Sequence, residues 1–382
     1  MLRCRCSATL RRVGRRACSQ FAPNPAGTLM PDGSRWGAFS PSDVHFDDPH
    51  SVFASHELEI LVSGVRWSEG PMWVSHERAL YFDSPIDAKI YKWREGEGTS
   101  VVASESGGYD GSNVENYSQL FEPGANGMAL AGDDVVICQH PTRRVIRMKL
   151  DALANMGGAQ MCTAAFDIVA EAAANGRPLN APNDVIVAPN GDIYFTDPVY
   201  GFLLKQPAAL GYSPLGQEKG EPTDQPYLDE MVQRVGAGLT GVYRVRDGVV
   251  SLVTDALTRP NGLALSPDGQ TLWVANSDKD APSWHAFSMG ESLPLARTRV
   301  LSAAELGPGV VLGPGLSDGF KIDTVGRLWA SVPGGLAVID PDKPAVLATC
   351  SFGTNTSNVA LSEDGDVFVT GLGHVWRLRR SI

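Results

Sequence analysis

An all-β fold, a six-bladed β-propeller with four-stranded blades and a ring closed by an N-terminal strand, is predicted by three observations. One hairpin phrase recurs six times along the chain. The stretches between its copies are themselves strand-like. The last copy runs out of chain one strand early, and a spare strand precedes the first copy.

Each copy consists of one polar residue, a short strand, a turn and a second strand rich in β-formers. The copies begin at Glu69 (EGPMWVSHERALYFD), Asn126 (NGMALAGDDVVICQH), Asn183 (NDVIVAPNGDIYFTD), Asn261 (NGLALSPDGQTLWVAN), Asp318 (DGFKIDTVGRLWAS) and Asn358 (NVALSEDGDVFVTG). Their spacings are 57, 57, 78, 57 and 40 residues. In three copies the turn glycine lies eight residues after the key residue, at Gly191, Gly269 and Gly326; the first two copies lack it. A period of this size made only of short strands is the signature of a propeller. Segments such as GVYRVRDGVVSLVT (241–254) supply the third and fourth strands. After the last copy only GHVWRLRR (373–380) remains, so LEILVSG (58–64) is expected to complete that blade and leave no open edge.

Propeller blades start with their innermost strand, so the six key residues are expected at one mouth of the central channel. The ends of the second strands return to the same mouth further out, placing Asp83, His140, Asp197, Asn276 and Ser331 in an outer ring. Two long connections at that mouth, 104–125 and 198–240, are expected to shape a pocket, the second as a lid-like insertion. The expected organisation is a basic extension over 1–50 and a propeller over 51–382.

Composition narrows the function classes. With 43% hydrophobic and 20% charged residues the chain reads as a globular protein with a sizeable core. No apolar run approaches the ~18 residues of a membrane span. A net charge of −11 argues against nucleic acid as a partner. Residues 1–29 hold six arginines and no acid, leaving −17 on the rest. That start resembles an organellar transit peptide; a plain tail, or a start at Met30, is the alternative. A cytoplasmic location is expected, or a mitochondrial one if the basic stretch is a transit peptide. The six cysteines form no CxxC and no evident framework, as expected of buried thiols in a reduced compartment.

Two carboxylates and several amides converging, without Cys or clustered His, describe an oxygen-ligand site. Such a site suits one hard divalent cation, Ca²⁺ before Mg²⁺, whereas zinc prefers His or Cys. Strand-end caps holding channel water are the alternative. GLSDG (315–319) fits the nucleophile elbow G-x-S-x-G, but a hairpin follows it where that motif needs a helix, so Ser317 is not expected to be a nucleophile.

WSEGPMW, APNDVIV with GDIYFTDP, RPNGLALSPDG and LSDGFKID together resemble the SMP-30/gluconolactonase (regucalcin-like) family, over roughly residues 57–380. ICQHPTRRV and FTDPVYGF are similar to its gluconolactonase and lactonohydrolase branch. The resemblance implies a divalent metal, commonly Ca²⁺ with Zn²⁺, Mg²⁺ or Mn²⁺ as alternatives, held by Glu69, Asn183, Asn261 and Asp318. It also implies hydrolysis of a sugar-acid or related lactone as the small-molecule partner, with Asp318 as general acid/base as well as ligand. Asn126 and His140, from one copy, are expected to contact substrate, and His140 could share the acid/base work. The regucalcin branch has an Arg where Ala181 stands here, which leaves the substrate's polar contacts open. Organophosphate hydrolysis and non-enzymatic calcium binding are the other functions this scaffold allows.

Overall fold

The computed structural model describes residues 44–204, 225–278, 282–307, 310 and 316–381. The Arg-rich stretch and the middle of the 198–240 insertion lie outside the described residues.

Six antiparallel sheets follow one another along the chain. The first four blades are built in sequence order. They comprise Glu69–Val74, Ala79–Ser84, Lys89–Arg94 and Gly98–Ser104; Ala125–Ala131, Asp134–Gln139, Arg144–Lys149 and Asp167–Ala170; Val185–Val187, Ile193–Asp197, Gly241–Arg246 and Val249–Thr254; and Pro260–Leu265, Thr271–Asn276, Ser283–Ser288 and Arg297–Ser302. The fifth contains Phe320–Ile322, Leu328–Val332, Gly335–Asp340 and Ala345–Ser351. The sixth takes Thr356–Leu361, Val367–Gly371 and Gly373–Arg380 from the C-terminal end and His56–Val65 from the N-terminal side. That last pairing runs from His56 opposite Arg380 to Val65 opposite Gly373, so the propeller closes as the sequence predicts. Each innermost strand lies against those of both neighbouring blades.

One element departs from expectation. His45–Asp47, inside the stretch expected to be an extension, adds a fifth strand to the outer edge of the fifth blade, with Phe46 opposite Cys350. Only three residues long and exposed on all of them, it carries no alternation that a sequence reading could detect.

The core lies between blades rather than within one centre. In the strand Ala79–Ser84, Ala79 and Tyr81 pack toward the second blade, while Leu80 and Phe82 pack toward the sixth. Strand side chains alternate between faces, and here both faces are covered, so the middle strands read as continuous apolar runs. At the closure Trp73 stacks on Phe368 with ring centroids 4.9 Å apart. Cys138 and Cys350 are buried free thiols, and Cys162 is free and only half-buried.

His285 gives the fold a testable pH dependence. It is buried in the strand Ser283–Ser288, with Nε2 3.0 Å from Ser283 Oγ and Nδ1 3.5 Å from Arg297 Nη1. Burial, and then the Arg297 charge, push its pKa from 6.5 down to about 4. A folded-state pKa below the unfolded one means that the neutral imidazole stabilises the fold. That contribution is intact above pH 6.5 and is lost as pH falls toward 4. Calorimetry across pH 7 to 4 should show a smaller drop in Tm for His285→Gln than for the wild type; equal drops would remove His285 from the account.

Candidate active site

The key residues owe their position to a repeated local irregularity. The pairing of the first two strands of a blade slips between Glu69 and Met72, Ala125 and Met128, Pro260 and Leu263, and Thr356 and Val359. Such a slip bends the strand and re-aims a side chain, and in each case it falls beside a key residue. In the third and fifth blades regular pairing starts only at Val185 and Phe320, two residues after Asn183 and Asp318.

A glycine follows the key residue in four blades, and its reason is contact with the next blade. A Cβ on Gly70 would stand 2.5 Å from Asn126 O, and one on Gly127 2.6 Å from Asn183 O. A Cβ on Gly262 would stand 2.6 Å from Gly319 Cα and 2.8 Å from Asp318 O, and one on Gly319 1.9 Å from Asn358 Cγ. The bare backbone at these four positions lets each key residue lie directly beside that of the following blade. Gly127 and Gly319 use the approach to donate N–H groups to Asn183 O and Ser357 O, both at 2.6 Å.

Glu69 is buried; Trp67 Nε1 donates to its Oε1 at 3.2 Å and Gly70 N to its Oε2 at 3.3 Å. Its pKa is raised well above the ordinary carboxylate value, by burial first and then by Asp318, Asp83 and Asp184. Asp318 keeps some exposure at the mouth. Its carboxyl is also pushed up, by burial and then by Asp184 and Glu122, with a hydrogen bond from the Asn261 side chain in opposition. Asn183 and Asn261 are both buried. Glu69 of the first blade and Asp318 of the fifth thus share one electrostatic environment, with Asn261 bonded to the second.

Asp184 belongs to the same cluster and was missed by sequence reasoning, although it stands where four other copies have glycine. Lys321 Nζ lies 4.0 Å from Asp184 Oδ2 and donates to Asn358 Oδ1 at 3.3 Å, while Asn358 Nδ2 donates to Asp184 at 3.5 Å. Lys321 therefore offsets Asp184, and Asn358 is tied into the channel wall. Asp83 is fully buried with neither carboxylate oxygen hydrogen-bonded among the described residues, and its pKa too is raised by burial, Asp184 and Glu122.

The outer ring divides by task. Asp197 accepts N–H bonds from Asn180 and Ala181 at 2.8 and 2.7 Å, Asn276 Oδ1 accepts from Arg259 N at 2.8 Å, and Ser331 Oγ donates to Ser357 O at 2.8 Å. These three are braces. His140 is buried beside Glu122, with Nδ1 3.1 Å from Oε2. Asn126, of the same copy, is buried too. Ser317 donates to Asn276 O at 3.0 Å and is buried, a structural hydroxyl as the sequence suggests.

Both long connections meet at this mouth. Leu120 bridges to Leu204, and Phe121 N donates to Leu203 O at 2.8 Å. Within the insertion the helix Gln225–Arg234 packs Leu228 and Val232 on Val199 and Phe202. Its Asp229 pairs with Arg259 at 3.3 Å, and Arg143 Nη2 donates to Val235 O at 2.7 Å. Tyr200 sits beneath, its phenol beside Asn261 and Ser277 and within the field of Asp318.

Two carboxylates raised by shared burial and flanked by amides fit a hard divalent ion. Among the described residues no three His, Cys, Asp or Glu side chains can hold an ion by themselves, so the amides are required in any ligand set.

The family model of the SMP-30/Gluconolactonase/LRE-like region matches residues 67–372. A gluconolactonase of Zymomonas mobilis is 32% identical over 331 residues, covering 85% of this chain and 82% of that protein. A lactonohydrolase of Aspergillus oryzae is 24% identical over 228 residues, 53% of this chain and 45% of the relative. Among solved structures, a gluconolactonase from Xanthomonas campestris aligns with a TM-score of 0.64 and 26% identity over 90% of this chain and 98% of that one.

Proposed function

The chain belongs to the SMP-30/gluconolactonase/LRE-like family, and from that premise we propose a metal-dependent lactonase that opens the ester ring of a sugar-acid or related lactone. It is a lactone-hydrolysing enzyme, a carboxylic ester hydrolase, as its gluconolactonase and lactonohydrolase relatives support. The observation that favours a metal-assisted route is the pair Glu69 and Asp318, two carboxylates from different blades raised by one shared burial.

Glu69, Asn183, Asn261 and Asp318 would hold the cation, Ca²⁺ by the oxygen-only donor set. When bound, it supplies the positive charge that polarises a lactone carbonyl. Asp318 is the general acid/base: its free oxygen takes the proton of the attacking water, and it is one group able to return a proton to the ring oxygen. Asn126 and His140 stand at the same mouth as substrate contacts. The helix Gln225–Arg234 of the insertion, with Leu228 and Val232 anchored on Val199 and Phe202, covers the mouth.

A pH-stat panel of an aldonolactone, an aliphatic lactone and a fluorophosphate tests this. Turnover is expected on the aldonolactone, to fall at least about 10²-fold with chelator and to return with Ca²⁺. Turnover on the fluorophosphate alone, or on nothing, overturns the lactonase reading; turnover indifferent to chelation overturns the metal.

A further inference from the structure

The buried imidazole of His140 has an asymmetric environment. Glu122 Oε2 stands 3.1 Å from Nδ1, close enough for an ion pair but without an aligned hydrogen bond, and Glu122 is itself only 12% exposed. Nε2, equally buried, meets no hydrogen-bonding partner among the described residues. Burying a polar nitrogen without a partner is unfavourable, so such groups call for an explanation. Structure does not supply one here. In the third and fourth blades the residue ending the second strand braces the segment ahead of the key residue, through Asp197 and Asn276. In the second blade the strand ends at Gln139, which does this bracing with Ser106: Ser106 Oγ accepts from Ala125 N at 2.9 Å, and Gln139 Nε2 donates to Ser106 O at 2.8 Å. His140 stands one residue past that strand end, and its side chain takes no part in the bracing.

Its surroundings point to the reaction. A Cβ on Gly201 would stand 3.2 Å from His140 Cβ, so the turn Tyr200–Phe202 closes directly on this residue. Tyr200 of the same turn reaches Asn261 and lies within the field of Asp318. Glu122 in turn is felt by both Asp318 and Asp83. One short turn thus touches His140 and lies within the field of the proposed general base.

We propose that His140, held by Glu122, is the acid that protonates the leaving ring oxygen, Glu122 being its positioning residue. This rests on the lactonase reading and on Asp318 as the acceptor of the water's proton. With the Glu122 carboxylate beside Nδ1, a ring protonated on both nitrogens would present its second proton on Nε2. Water bonds to the carbonyl carbon as Asp318 takes one of its protons. The bond from that carbon to the ring oxygen then breaks, its electron pair stays on the oxygen, and the Nε2 proton joins it. The product is a hydroxy acid, which ionises; the proton on Asp318 returns to His140. A carboxylate–imidazole pair orients a ring and stabilises its charged form in the same way in hydrolytic triads.

Leaving-group dependence tests the assignment. An aliphatic aldonolactone expels an alkoxide and needs the acid; a lactone with a phenolic ring oxygen expels a far weaker base and does not. His140→Gln is expected to lose about 10²- to 10³-fold in kcat on the aldonolactone and less than threefold on the phenolic lactone. Glu122→Gln should show the same selectivity at about tenfold, with Glu122→Asp recovering part of it. Equal losses on both lactones in variants that keep the wild-type Tm overturn the proposal and leave His140 a structural residue. Loss of fold in His140→Gln passes the decision to the two Glu122 variants, whose lack of selectivity overturns it equally. Wild-type protein inactive on both lactones overturns the function reading instead, a result distinct from either.

Discussion

Asp318→Asn is expected to lower kcat on the best lactone by about 10³-fold, the middle of the range for loss of a proton-transfer group, while the fold survives. The two halves of that result have one cause. In the protein as described, the Asp318 carboxyl is raised by burial and by the acids around it, Asp184 and Glu122. Raised carboxyls in a shared enclosure repel one another once ionised, a cost that persists until a cation offsets it. The amide keeps the shape and removes one of the repelling charges. Without added metal, Asp318→Asn should therefore melt no lower than the wild type, and the rise in Tm on adding Ca²⁺ should shrink because one anionic ligand is gone. Activity and stability thus move in opposite directions, which a merely misfolded variant cannot produce. Calorimetry with and without Ca²⁺, beside initial rates, reads both. Wild-type turnover in the variant would remove Asp318 from the chemistry; an unchanged Ca²⁺ effect on Tm would remove it from the ligand set.

What could be read from the sequence was whatever the local chain dictates. Strand alternation, Ser-Pro-Asp-Gly and Pro-Asn-Gly turns and the six key residues are short-range signals, and they led to the propeller and its closure by His56–Val65. The positive φ of Gly191, Gly269 and Gly326, at 88°, 68° and 91°, is the turn chemistry their position in the repeat suggests. The rest needed contacts between distant segments. Glu122 lies in a long loop outside every copy, and only the folded chain brings it to His140. Lys321 sits in a strand where its neighbours are apolar, with nothing local to pair it with Asp184, 137 residues away. The insertion's helix Gln225–Arg234 follows a stretch without clear periodicity, and its packing depends on Val199 and Phe202. Even the glycine after four of the key residues, plain in the sequence, carries no local sign of its purpose. Its function is contact with the next blade.

That reading of the glycines makes the second large prediction. Gly262→Ala should destabilise the protein by about 3 kcal/mol, the upper part of the range for overpacking, and lower Tm by roughly 4 °C. A methyl group there would meet Gly319 Cα at 2.6 Å, Asp318 O at 2.8 Å and Phe320 N at 3.0 Å. All three are main-chain atoms of the fifth blade, so no side chain can rotate to make room. Relief requires the fourth and fifth innermost strands to part, and they meet between Asn261 and Asp318, so turnover should fall with stability. Gly269→Ala, in the same blade, is the control. Gly269 has φ 68° and nothing within 4 Å of a would-be Cβ, so its substitution costs only the left-handed strain of about 1 kcal/mol and leaves kcat at the wild-type level. Two glycines, seven residues apart in one repeat, thus separate conformational need from close approach. If both substitutions proved equally mild, the inner strands would not be in the close contact that brings the carboxyl groups of Glu69 and Asp318 into one site. The ring of key residues would then be too loose to act as a single ligand set.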